Sequence, residues 1–283
     1  MRKHFKNRVQ VKLKATMARY QLTLTYDGTD FFGSQRQASH QLGPGASKRT
    51  VQGELEKALC KLGWTGRSVI LSGRTDTGVH ATGQVASFDL DWSHSDEDLV
   101  RALNALLPAD LAMHQARTVH AKFHPRFDAT ARCYRYRLFC QPVRDPLRER
   151  FTWRVWPEIN GEALANVATL FVGTHDFSAF GSPTTPRGTT VRTVIKAKWM
   201  QADPDEWHFE VQADAFLYRM VRRLVFVQVA VAQGKASADV IVRSLAKQES
   251  VEAERNKVPA GLAPAHGLTL IEVTYPMNES IGQ

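Results

Sequence analysis

Tyr20, Leu22, Leu24 and Tyr26 alternate with Gln21, Thr23 and Thr25, the two-residue period of a strand with one buried face. Asp27-Gly28 ends that strand as a turn. Thr50 then precedes Val51, Leu55, Ala58, Leu59 and Leu62, which form an apolar stripe at helical spacing, so Thr50 is the expected cap. Apolar runs at 68–72 and 84–90 predict two strands. Ser95, with Asp98 three residues on, predicts a capping box for a helix that buries Leu99, Ala102, Leu103 and Leu106. A strand near 112–119 completes the order β-α-β-β-α-β.

The second half repeats that order. A strand is expected over Ala131–Cys140, with Tyr134, Tyr136 and Leu138 on one face and Arg135 and Arg137 on the other. Asn160 caps a helix with Leu164, Val167, Ala168 and Phe171 inside. Strands at 192–200 and 207–214 follow, then a nearly all-apolar helix at 218–233. Ser237 opens one more helix, and 268–275 is the last strand. Each half matches a split β-α-β plan. The expected fold class is α+β: two tandem βαββαβ-like subdomains whose antiparallel sheets join, with a central cleft for RNA. Residues 19–120 form the first subdomain, carrying the Asp76 loop, and 121–277 the second, which completes the site. Residues 1–18 read as a basic tail and 278–283 as a short one.

Composition narrows the class. The chain has 283 residues, a formal net charge of +9 and three cysteines, Cys60, Cys133 and Cys140, with no C-x-x-C pair. That pattern fits a reducing compartment with neither a disulfide frame nor a zinc site. No apolar run approaches the ~20 residues of a membrane span, and no signal-peptide pattern is present. A cytoplasmic protein is the expectation. The positive charge suits a polyanionic partner, but seven basic residues with no acid lie within the first 19 residues. Beyond them the balance is only mildly basic.

The candidate chemistry sits between the two central strands of the first half, in Gly73-Arg74-Thr75-Asp76-Thr77-Gly78-Val79-His80. Asp-Thr-Gly occurs once, whereas aspartic-protease chemistry needs two carboxylates sharing a proton. By itself the stretch is also ordinary turn chemistry. Two other stretches change the reading. Tyr134 and Tyr136 could be plain core aromatics or a platform for a base turned out of its stack. Phe216-Leu217-Tyr218-Arg219-Met220-Val221-Arg222-Arg223 puts three arginines at the start of an apolar helix. An inward arginine needs a carboxylate partner, and Asp76 is the natural one. Such pairing favours the ionised carboxylate that a nucleophile or general base requires. No P-loop pattern and no metal-ligand spacing among the histidines occurs.

These segments together resemble the bacterial tRNA pseudouridine synthase A family. The resemblance runs from about residue 18 to 276. It includes Tyr26-Asp27-Gly28-Thr29, the 50–59 helix, 72–85, Phe123-His124, Tyr134-Arg135-Tyr136, 173–177, 216–222 and His266-Gly267-Leu268. The resemblance implies that Asp76 is catalytic, that Tyr134 and Leu268 bind the base, and that Arg222 partners the aspartate. It implies that Arg74 helps extrude the base and that Arg219, Arg223 and His80 contact RNA. It further implies a homodimer acting on tRNA uridines at positions 38 to 40 of the anticodon stem-loop, with no cofactor and no metal. The alternative is a tRNA-binding or RNA-folding module of the same fold without catalysis. The chain departs from the family's usual residues at Ser34, Pro125, Arg223, Phe226 and Thr269, and its 37–48 loop looks long. None of these departures is expected to touch Asp76, Tyr134 or Arg222.

Overall fold

A computed structural model describes residues 17–36, 48–185, 187–246 and 258–276. The expected tails at 1–18 and 278–283, apart from Met17 and Ala18, and all of the 37–48 loop but Lys48 lie outside the described residues. In the first half, β1 (Ala18–Tyr26) leads to α1 (Val51–Lys61), β2 (Ile70–Leu71), β3 (His80–Leu90), α2 (Asp96–Asn104) and β4 (Leu111–Val119). The second half holds β5 (Ala131–Cys140), β6 (Trp153–Val155), α3 (Gly161–Thr169), β7 (Gly173–Asp176), β8 (Val191–Asp203) and β9 (Glu206–Ala213). It continues with α4 (Met220–Ala232), α5 (Asp239–Leu245) and β10 (Leu268–Thr274).

The local signals act as expected. The Thr50 side chain accepts from the Gly53 N–H at 3.2 Å, and Ser95 and Asp98 form the reciprocal capping box. The run at 68–72 contributes only a two-residue strand. β6 and β7 are too short to leave a periodic trace in the sequence.

The strands form one ten-stranded sheet in the order β4-β1-β3-β10-β5-β9-β8-β7, with β2 on β3 and β6 on β5. The first-half strands therefore lie on one side and the second-half strands on the other. The seam is a short parallel pairing of β10 with β3, Thr269 opposite His80 and Leu270 opposite Ala81; the other pairings along the main path are antiparallel. One hydrophobic cluster runs through both halves, from Leu22 and Leu24 to Tyr136, Phe209 and Leu224. α4 is buried along most of its length, and its one deeply buried polar side chain, Gln228, accepts from Trp199 Nε1 at 2.8 Å. On the opposite face of the second half, Arg135 and Lys196 pair with Glu210, while Arg137, Arg148 and His208 pair with Glu206.

Candidate active site

Asp76 lies in the loop joining β2 to β3, and the residues around it are fixed by a buried polar network. Thr75 is held on both backbone groups: its N–H donates to Ser34 Oγ at 2.9 Å, and its carbonyl accepts from the Ser34 N–H at 3.1 Å. Its hydroxyl shares a 2.9 Å bond with the Tyr26 hydroxyl. Gln84 holds the front of the loop, donating to the Gly73 carbonyl at 2.9 Å and accepting from the Ser72 hydroxyl at 2.7 Å. Tyr26, Ser34, Ser72, Thr75 and Gln84 are all buried, where an unsatisfied polar group is costly. Each satisfied pair therefore specifies one loop geometry. Burial lifts the Tyr26 hydroxyl to about 12, against the opposing pull of its bonds with Thr75 and Gln84. Gly33, at φ +86°, lets this strap approach: a Cβ there would stand 2.9 Å from the Thr75 carbonyl oxygen.

Across the cleft, Arg222 in the first turn of α4 donates from Nη1 to Asp76 Oδ2 at 2.9 Å and from Nε to the Ala263 carbonyl at 2.8 Å. Its side chain is 13% exposed and that of Asp76 is 24% exposed. Arg219 Nε lies 4.0 Å from the same Oδ2. Asp76 Oδ1 accepts no hydrogen bond from the described residues. The carboxylate is thus anchored on one oxygen and open on the other.

Tyr134 on β5 is buried, with its ring edge-on to Phe216 at 5.2 Å. Its hydroxyl is 4.0 Å from the place a Cβ on Gly73 would take. Burial, with neighbouring Tyr26 and Asp76 adding to it and Arg132 opposing it, pushes that phenol well above its ordinary value and keeps it protonated. Leu268 is buried at the start of β10, paired across the sheet with Tyr136, while Leu270 pairs with Tyr134. Cross-strand partners share a face, so Leu268 belongs to the same apolar face as the tyrosines. Arg74 is exposed, with no hydrogen bond or ion pair to the described residues.

Two of the expected RNA contacts have their polar groups engaged within the protein. His80 is 4% exposed; its Nδ1 accepts the Gly28 N–H at 2.9 Å and its Nε2 faces the His266 carbonyl at 3.1 Å. Arg223 spends its guanidinium on the carbonyls of Val258, Pro259 and Gly261. Phe226 lies against the same strap, with its ring 2.1 Å from where a Cβ on Gly261 would stand. Because Ala263 in turn accepts from Arg222, these two departures support the aspartate's partner from behind. Ser34, as expected, makes no hydrogen bond to Asp76, but it grips both backbone groups of the residue before it. The sequence reading also passed over Arg132, whose guanidinium bonds the carbonyls of Ser72, Arg126, Ala129 and Asp214. The strand period was the signal that could have found it: two residues before Tyr134, it lies on the tyrosine face, opposite Arg135 and Arg137.

The model of a family described as tRNA pseudouridine synthase matches residues 23–128 and 167–276, which together span most of both halves. A tRNA pseudouridine synthase A from Solidesulfovibrio magneticus is 43% identical over 263 residues, covering 92% of each chain. One from Chloroflexus aurantiacus is 38% identical over 90% of this chain and 88% of its own. One from a Geobacter species is 36% identical over 92% of this chain and all of its own. Motif order, site geometry and these similarities converge: the chain belongs to the tRNA pseudouridine synthase A family.

Proposed function

We propose that this chain isomerises uridine to pseudouridine in the anticodon stem-loop of tRNA, at positions 38 to 40, with Asp76 as the catalytic group. The observation that carries the reading is the Asp76–Arg222 pair, which leaves one carboxylate oxygen open, with the Tyr134 hydroxyl close to Gly73 at the head of the same loop. The reaction breaks the N1–C1′ bond, turns the base and joins C5 to C1′, so it needs neither redox chemistry nor an energy source. A carboxylate serves it by attacking C1′ or by removing the C2′ proton. Both steps call for an ionised group with a free oxygen, and Oδ1 supplies it.

The detached ring has to be held while it turns. The Tyr134 ring, with Leu268 beside it, provides an apolar wall for that. A phenol kept protonated is a poor base, so Tyr134 takes the proton leaving C5 only as its own passes to water, and N1 of the turned base takes up a proton from water in exchange. Arg74, exposed and unpaired at the loop's edge, is placed to help turn the nucleotide out, at a cost of a few kcal/mol for the unstacked base. Arg219 extends the positive rim beside Asp76. The working unit is a cytoplasmic homodimer of two-subdomain chains, divided near residue 120.

Incubation with unmodified tRNA and chemical mapping of pseudouridine tests the reading. Wild type forms the product at 38 to 40, and Asp76→Asn binds the tRNA but forms none. Product from Asp76→Asn at the wild-type rate would remove Asp76 from the mechanism. Wild type that binds without forming product would leave only a binding module.

A further inference from the structure

The segment from Phe123 to Asp128, between the two halves, is a tightly tied loop that presents an uncovered aromatic ring. Phe127 is 77% exposed. It stacks on His124 with ring centroids 4.2 Å apart and planes 28° from parallel. The imidazole is locked beneath it, because His124 Nδ1 accepts the N–H groups of both Arg126 and Phe127 at 3.2 Å. Asp128 closes the turn: its carboxylate accepts the His124 N–H at 2.9 Å and its own N–H donates to the His124 carbonyl at 3.0 Å. The Tyr275 hydroxyl donates to the Pro125 carbonyl at 2.7 Å, and the buried Phe123 ring packs on Tyr275. A ring ordered this firmly loses little conformational entropy when a partner covers it.

Charge and position indicate the partner. Lys122 and Arg126 flank the stack, and the Arg126 guanidinium lies 6.0 Å from the Phe127 ring centre. The one acid in the loop, Asp128, is turned to backbone. The loop is also coupled to the candidate active site: Arg132 Nη2 donates both to the Arg126 carbonyl and to the carbonyl of Ser72, where the Asp76 loop begins. An aromatic face with a cationic rim is the surface on which unstacked nucleobases settle.

We infer that the His124–Phe127 stack is a second base-binding subsite, taking an unpaired base of the same tRNA outside the target nucleotide. The inference rests on the reading of this chain as a tRNA-modifying enzyme, but its test is separate, because affinity is measured rather than product. Dissociation constants for an unmodified tRNA transcript are compared for the full chain and for Phe127→Ala, Phe127→Leu and Phe127→Trp. Each is measured with Asp76 intact and again on the Asp76→Asn background. Phe127 is exposed, so the variants keep the core, and a melting curve checks that.

Loss of one base–aromatic stack weakens binding on the order of ten-fold, so Ala and Leu show that loss and Trp restores wild-type affinity to within about two-fold. Alanine binding within about two-fold of wild type would overturn the subsite. A leucine variant that binds like wild type would also overturn it, because an apolar contact would then suffice without a ring. Sedimentation completes the test: a wild-type dimer that becomes monomeric in Phe127→Ala assigns the ring to contact between copies and ends the proposal. If wild type makes no pseudouridine yet the affinity pattern holds, the activity reading falls and the subsite stands.

Discussion

At the scale of single residues, what distinguishes Asp76 from an ordinary loop aspartate is the inequality of its two oxygens. Oδ2 is fixed by Arg222 and approached by Arg219, and Oδ1 is open. That inequality depends on a loop that does not drift, and Ser34 is one of its anchors: its hydroxyl accepts the Thr75 N–H while its backbone N–H donates to the Thr75 carbonyl. Ser34→Ala leaves the buried Thr75 N–H without its acceptor, a loss of about 1–3 kcal/mol. The expected result is a lower melting temperature and a fall in the single-turnover rate, with tRNA affinity kept. An unchanged rate in a destabilised variant would show that the clamp serves the fold alone. A single sequence conceals this role. Ser34 reads as a small polar residue in a Gly-Ser-Gln stretch, and its partner lies forty-one positions away. Asp76 and Arg222 were legible because a carboxylate in a loop and an arginine in an apolar helix each demand a partner, whatever the distance between them.

At the scale of elements, the start of α4 carries the strain. Its apolar pattern predicts a helix from 218, but the helix begins at Met220 because Arg219 is left-handed, at φ 61° and ψ 9°. It is the only non-glycine residue with positive φ among the described residues. Such a backbone costs of order 1 kcal/mol or more, and strain of this kind is kept where a site requires it. Here it accompanies a guanidinium 4.0 Å from Asp76 and 4.8 Å from the centre of the half-exposed Tyr218 ring. Arg219→Gly therefore stabilises the fold by up to about 1 kcal/mol and weakens tRNA binding or turnover. Thermal melting and steady-state kinetics on the same preparation measure the two effects. If both stability and activity fall, the left-handed turn is not strained in favour of the site. Periodicity could locate α4 but not this turn, since the hydrophobic pattern runs through it unbroken. It located β1, β5 and the caps of α1, α2 and α3 because each has a full period or a paired capping signal. It could not find β6 and β7, with three and four residues, nor the parallel seam, which joins two strands far apart along the chain.

At the scale of the molecule, acid should loosen the two halves in order, because the seam and the charged face respond over different pH ranges. His80 sits at the seam, opposite Thr269 of β10, 3.1 Å from Asp27 and bonded to the His266 region. Burial outweighs the pull of Asp27 and sets its imidazole below the ordinary 6.5. The unfolded chain therefore binds this proton more readily. His80 contributes stability above about 6.5 that drains away as pH falls below it. The far face behaves differently. Hydrogen bonding from Lys196, against the cost of burial and with help from Arg135, depresses Glu210 from 4.5 to about 2. Burial raises Glu206, but bonds from His208, Arg137 and Arg148 outweigh it and leave its carboxyl lowered too. Their contribution is whole above the unfolded value of 4.5 and is lost as pH falls below it, for Glu210 toward about 2. Hydrogen exchange across a pH series should then show β3 and β10 losing protection first, below pH 6.5, and β8 and β9 only below 4.5. Glu210→Gln should flatten the second phase and spare the first. Simultaneous loss in all four strands would mean that the seam and the charged face form one cooperative unit. In that case the parallel joint between β3 and β10, short as it is, would bind the halves as firmly as the antiparallel ladders within them.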